Sequence, residues 1–210
     1  MSDTDSIRKD AADGSPQPRP RRLRDVHAQA TRAALVAAAR ACFVRDGWNA
    51  TTLDGVALAA GTTKGAVYHH FKDKKALFHA VYESLSQELV QAIVDRDAAL
   101  GPGIQGALRA FLMHAANESY RTVLFTEGPG VLGSATCREI DLRYSLGLLH
   151  QLVEDNLPPQ VREAGGTGLI ATLMLALVIE AGHILAETSE PAQTTKRLEF
   201  LLARMLSALG

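Results

Sequence analysis

At 210 residues, with 47% apolar and 5% aromatic side chains, the chain has material for one or two small domains and a sizeable core. Its net charge of −1 gives no bulk reason to expect a polyanionic partner, and its two cysteines, Cys42 and Cys137, offer neither a disulfide framework nor a zinc spacing, which fits a reducing cytoplasm. No apolar leader opens the sequence, and the longest apolar run, Leu169 to Ile179, is too short to span a bilayer and meets Glu180, so no membrane is expected among its partners.

The charge is unevenly spread. Residues 19–75 hold eleven Lys/Arg against four Asp/Glu, whereas residues 76–210 hold nine against fifteen. Cations concentrated in one segment suit a nucleic-acid contact, because binding to DNA is driven largely by counterion release.

Residues 1–24 are expected to be a disordered arm. The first eighteen are polar and rich in Asp, Ser and Pro, and Arg19, Arg21, Arg22 and Arg24 follow. Those arginines could enter a minor groove, or form a solvated tail that only raises non-specific affinity. A first helix is predicted from Val26 or Thr31 to Arg45, with Leu35, Ala38, Ala39, Cys42 and Phe43 on its apolar stripe, Gly47 as its C-cap and Trp48 packed behind. Two short helices follow between Thr51 and Lys74. Thr51 is placed to N-cap the first, with Asp54 three residues on, and Gly61 is expected to end it at positive φ. Thr62 or Thr63 starts the second. Val67 and Phe71 point to the core, which leaves Lys64, Gly65, Tyr68, His69 and His70 on another face. Cations, hydrogen-bonding rings and a glycine that permits close approach suit a helix laid in the DNA major groove.

Gly47-Trp48, Thr51-Thr52, Val56-Ala57, Ala60-Gly61, Lys64-Gly65, Tyr68-His69-His70-Phe71, Lys74 and Leu77, in that order, resemble the helix-turn-helix of TetR-family transcriptional regulators. The resemblance is strong from about Thr31 to Val81. It implies that Lys64, Gly65, Tyr68 and His69 approach bases, and that Thr51, Thr52, His70 and Lys74 hold phosphates. Two residues depart from the family pattern. Thr62 replaces the usual valine, which should loosen the turn, and Leu53 stands where some members carry a polar base-reading residue, so that contact is expected to be absent.

A long helix is predicted from about Lys74 to Leu100, with Leu77, Phe78, Val81, Leu85, Leu89 and Ile93 buried. Gly101-Pro102-Gly103 breaks the chain. A helix over 104–119 follows, then the segment 121–133, which resembles one branch of TetR-like regulators, and then a helix over 134–156. The last two helices are expected over 167–188 and 191–209. The first of these is apolar nearly all round, which implies burial on two sides. Pairing of these two helices with the same two of a second copy would make a homodimer around a four-helix interface, as the family resemblance also implies.

The fold class is thus all-α: a helix-turn-helix DNA-binding domain over residues 25–75 and a larger helical ligand-binding and dimerisation domain over 76–210. The expected function is a sequence-specific, DNA-binding repressor. Two heads held about 34–36 Å apart would read a pseudo-palindromic operator in double-stranded DNA, and a small apolar or amphipathic effector would release it. A constitutive or protein-controlled regulator is the alternative. Candidate pocket residues are Phe111, His114, Tyr144, Leu148, Met174 and Glu180. Asn117, Arg143 and His183 are further polar groups set in apolar stretches, and for each polar candidate a satisfied buried or helix-end role competes with ligand binding. The sequence shows no nucleophile elbow, HExxH, phosphate loop or paired carboxylates. Its seven histidines have no metal-ligand spacing, so no enzyme activity, cofactor or metal is expected.

Overall fold

The computed structural model describes residues 20–207, with side chains from residue 25 onward, and those residues form helices and no strand. The arm expected over 1–24 therefore lies outside the described residues up to residue 19. Residues 20–24 are already helical, because proline is tolerated in a helix's first turn and arginine and leucine propagate the helix well. The first helix, α1 (Pro20–Ala50), is broken at Gly47, whose φ of 75° is open to glycine and strained for other residues. Helices α2 (Leu53–Ala59), α3 (Lys64–His70) and α4 (Lys74–Val94) complete the head. Its core holds Leu35, Ala39, Cys42 and Phe43 from α1, Val56 and Ala57 from α2, Val67 from α3, and Phe71, Leu77, Phe78 and Val81, all buried. Phe43, Trp48 and Phe78 form an aromatic cluster with centroids 5.0–5.9 Å apart.

α4 is shorter than its apolar pattern suggests. It stops at Val94, where Asp95 takes the C-cap, and a separate 3-10 turn at Ala98–Leu100 is capped by Asp97. Its 21 residues still make a rod of about 31 Å that joins the head to the rest. The larger part comprises α5 (Gly103–Ala115), α6 (Glu118–Tyr120), a π-helical turn (Arg121–Glu127), α7 (Gly128–Leu132), α8 (Ser134–Asn156), α9 (Pro159–Gly165), α10 (Thr167–Glu187) and α11 (Pro191–Ser207). The π turn was not foreseen from sequence. Such widened turns gather at functional positions.

α10 is long and apolar enough, by length and composition, to cross a membrane, so the eleven-residue run counted from sequence understated it. It packs against α5, α8 and the π turn, burying Ala171, Met174, Leu175, Ala181, Gly182 and Leu185. Its other face leaves Leu169, Leu173, Leu177 and Ile184 exposed, beside exposed Phe200, Leu201 and Met205 of α11.

Candidate nucleic-acid interface and interior cavity

The turn between α2 and α3 is built by local hydrogen bonds. The Thr52 hydroxyl accepts from Gly55 N at 3.1 Å and so caps α2. Thr51, expected in that role and on a phosphate, is 3% exposed, and its hydroxyl donates to Gly47 O at 2.8 Å. The cap therefore falls one residue later than expected, and Thr51 closes the corner after the α1 break instead of facing outward. At the other end of α2, Gly61 has φ 62°, its N–H reaches Leu58 O at 3.1 Å and Thr62 N–H reaches Ala57 O at 2.9 Å. These are the two bonds of a Schellman ending, so the turn is closed despite the threonine at 62. Thr63 caps α3 by accepting from Ala66 N at 3.2 Å.

Capped in this way, α3 buries Val67 inward and leaves Lys64, Gly65, Tyr68 and His69 exposed together on its outer side. Lys64 Nζ lies 2.9 Å from the Asp54 carboxylate and 5.9 Å from the Tyr68 ring centre. The hydrogen bond to Asp54 holds the Lys64 pKa above its ordinary value and positions the ammonium over the turn. Gly65 has no internal reason to be glycine, because a methyl there would meet only Thr63 Oγ1 at 3.8 Å. His70 is half-buried at the end of α3. Burial first, then His69 and Arg32, hold its imidazole below the ordinary histidine pKa. Leu53 packs against the core and is not free to read a base.

Lys74 is turned inward. Its Nζ donates to Trp48 O at 2.6 Å and Thr51 O at 3.0 Å, and it sits 4.2 Å above the Trp48 ring. Two of its three donors are thereby used within the head. These contacts clamp the corner at residues 47–51 to the start of α4 and leave the third donor for the phosphate contact expected from sequence.

Beneath the head, α4, α5, α8, α10, α11 and the π turn line a partly open cavity of about 90 Å³. Leu89, Leu108, Phe111, Leu124, Leu148 and Met174 are among its apolar walls, and Tyr82, Ser86, Asp141 and Ser145 supply polar groups. The Tyr82 hydroxyl donates to Asp141, 3.3 Å from each carboxylate oxygen. Burial pushes the Asp141 carboxyl up to about 6, against the opposing pulls of Tyr82, His183 and Ser86. Burial and the Asp141 charge push the Tyr82 hydroxyl up, far out of the physiological range.

Two family models match the chain. "Bacterial regulatory proteins, tetR family" covers residues 35–81, and "Tetracyclin repressor-like, C-terminal domain" covers residues 102–209. The second alone spans half of the chain. The chain belongs to the TetR family of transcriptional regulators. It is 26% identical over 149 residues to the transposon Tn10 TetC protein of Escherichia coli, covering 70% of this chain and 75% of that one. A crystal structure of a TetR-family regulator from Pectobacterium atrosepticum matches at TM-score 0.68 and 24% identity over 88% of this chain and 96% of that one. RolR, solved in complex with resorcinol, has the same fold at TM-score 0.59 and 16% identity, over 84% of this chain and 89% of RolR. The family and the Pectobacterium relative are transcriptional regulators, not enzymes.

Of the pocket residues expected from sequence, this TetR-family regulator brings Phe111, Leu148 and Met174 to the cavity. It does not bring the other three. His114 is half-exposed beyond the cavity's end, with its ring 6.1 Å from that of Tyr120. Tyr144 faces the groove between α1 and α4, one residue of helical rotation from Ser145. Glu180 is exposed on the stripe of Leu173, Leu177 and Ile184. Asn117 caps α6, Arg143 bridges Glu83 and Glu139 at the surface, and His183 Nδ1 lies 2.9 Å from Phe125 O. Sequence reasoning missed Tyr82, Ser86, Asp141 and Ser145, and also Glu127. Its Oε1 accepts from Trp48 N at 2.6 Å, joining the end of the π turn to the head, while its Oε2 is buried without a partner.

Proposed function

We propose that this regulator is a homodimeric, cytoplasmic repressor that reads a pseudo-palindromic DNA operator with α3 and is released by a small amphipathic molecule in the interior cavity. The observation that carries the reading is the outer side of α3, where Lys64, Gly65, Tyr68 and His69 stand exposed on a helix whose other side is locked into the core. Lys64 would contact a guanine edge, with Asp54 as the partner it leaves or shares. Thr52, exposed at the start of α2, and His70 would hold phosphates at the edges. Dimerisation is supported by the exposed apolar stripe of α10 and its continuation on α11. The mostly apolar cavity favours small-molecule control over a constitutive regulator, and RolR offers a precedent for ligand binding in this fold.

Selection of bound sequences from random duplex DNA, at a stated near-physiological salt, tests the reading. A two-fold-symmetric motif is expected, and Lys64→Ala should relax specificity within each half-site by about 1–3 kcal/mol. Recovery of no motif would overturn sequence-specific reading, and a solution mass near 22.5 kDa instead of twice that would overturn the dimer.

A further inference from the structure

The polar groups of the cavity are gathered from two facing helices and are short of donors. Asp141 of α8 is half-buried, receives one long hydrogen bond from Tyr82, and forms no ion pair among the described residues. Ser86, 95% buried on α4, lines the same cavity close enough to Asp141 to lower its pKa, yet its hydroxyl forms no hydrogen bond within normal distance. Ser145 adds a second hydroxyl from α8. A carboxylate kept from water costs free energy unless a cation or several donors meet it. The rest of the wall is hydrocarbon.

We infer that the cavity binds amphipathic amines, with the protonated nitrogen against Asp141 and Ser86 and the hydrocarbon body against Leu108, Phe111, Leu148 and Met174. This rests on the reading of the cavity as the effector site. An ammonium carries three donors and one positive charge, matching a carboxylate flanked by hydroxyl oxygens. A neutral alcohol satisfies one acceptor and leaves the charge uncompensated, and a carboxylate ligand would meet Asp141 as a like charge. The three probes below share one unbranched chain and differ only in the head group, so a difference between them reads the polar end of the cavity.

The test is calorimetric titration of the full chain with n-hexylamine, 1-hexanol and hexanoate at pH 8. Hexylamine should bind roughly tenfold or more tightly than hexanol, and hexanoate most weakly. Asp141→Asn should bring the amine to within about twofold of the alcohol while hexanol binding persists, which shows that the variant is folded. As an independent check on the unmutated chain, lowering the pH to 5 should erase the amine's preference and leave hexanol unchanged. Asp141 is faced by Tyr82 from α4, Cys137 from its own helix and His183 from α10. Hexanol or hexanoate binding as tightly as hexylamine would overturn the amine assignment and leave the effector cavity standing. Binding of none of the three would overturn both.

Discussion

Lys74→Met isolates the clamp on the head. Methionine keeps most of the stem over Trp48 and removes the ammonium. Two charge-assisted hydrogen bonds at 2.6 and 3.0 Å are lost, together with a cation held 4.2 Å over an indole ring. Hydrogen bonds from charged donors contribute about 1.5–3 kcal/mol each, and a cation–π contact about 0.5–2 kcal/mol. These contributions overlap and the side chain is half-exposed, so a combined loss of about 3 kcal/mol is expected. For a chain of this size that lowers Tm by roughly 6–12 °C. The assay pairs thermal unfolding with DNA affinity measured across a salt series at a temperature where both proteins are folded. A clamp predicts a large Tm loss and an unchanged slope of log affinity against log salt. An unchanged Tm with a slope flattened by about one would mean that Lys74 holds a phosphate and would refute the inward assignment.

Three other outcomes are expected. Gly65→Ala should stabilise the head by about 0.5–1 kcal/mol, because a helical glycine becomes alanine in open space, yet weaken operator binding, because the methyl stands where DNA must approach; gains in both, or losses in both, would contradict the placement of α3. Asp141 has a folded-state pKa near 6, above its unfolded value of 3.8, so its proton favours the native state and stability falls as pH rises from about 4 to 6. Asp141→Asn should therefore raise stability at pH 8, by on the order of 2 kcal/mol after allowing for partial exposure, and by little at pH 4, as read from Tm at the two pH values. Glu127→Ala should leave hexylamine binding intact and shrink the effect of the bound amine on operator affinity, measured by titrating DNA with and without it; an undiminished effect would exclude the bond from Glu127 to Trp48 as the link.

The head could be read from sequence because its signals act within a few residues. Gly61 ends α2, Val67 and Phe71 follow helical spacing, and hydroxyls precede both short helices. What failed there was register. Thr51 and Thr52 are chemically equivalent as caps, and only the break at Gly47 decides which one turns inward. Lys74 shows a different limit: its partners lie 23 and 26 residues away, and nothing local distinguishes an ammonium aimed at a phosphate from one aimed at a carbonyl. The cavity's polar end carried a signal that went unused. Tyr82, Ser86, Leu89 and Ile93 repeat at spacings of four, three and four, as do Asp141, Ser145, Leu148 and Leu152, so each polar pair continues an apolar stripe toward the head. An acidic residue on a long helix, such as Asp141, ordinarily faces water. Its burial follows from the packing of α8 on α4, which no single helix encodes.

Cavity and head are joined by a short physical path. Leu124 and Phe125 of the π turn form part of the cavity wall, and two residues later Glu127 holds Trp48 N at 2.6 Å. The carbonyls of Trp48 and Thr51 are in turn held by Lys74 at the first residue of α4, whose later turns supply Tyr82, Ser86 and Leu89 to the same cavity. Under the proposed ligand control, a molecule that pressed the wall apart would act on the head from two sides, through the π turn and through α4, and the two routes meet at the residues that set the start of α2. Removing Glu127 cuts one route and leaves the other, so its loss should weaken coupling without abolishing it. Removing the Lys74 ammonium loosens the point where both arrive. Since a ligand moves an equilibrium only by its differential affinity for the two states, typically about 1–3 kcal/mol of coupling, the proposed control would have to work against a corner held by contacts of that same size.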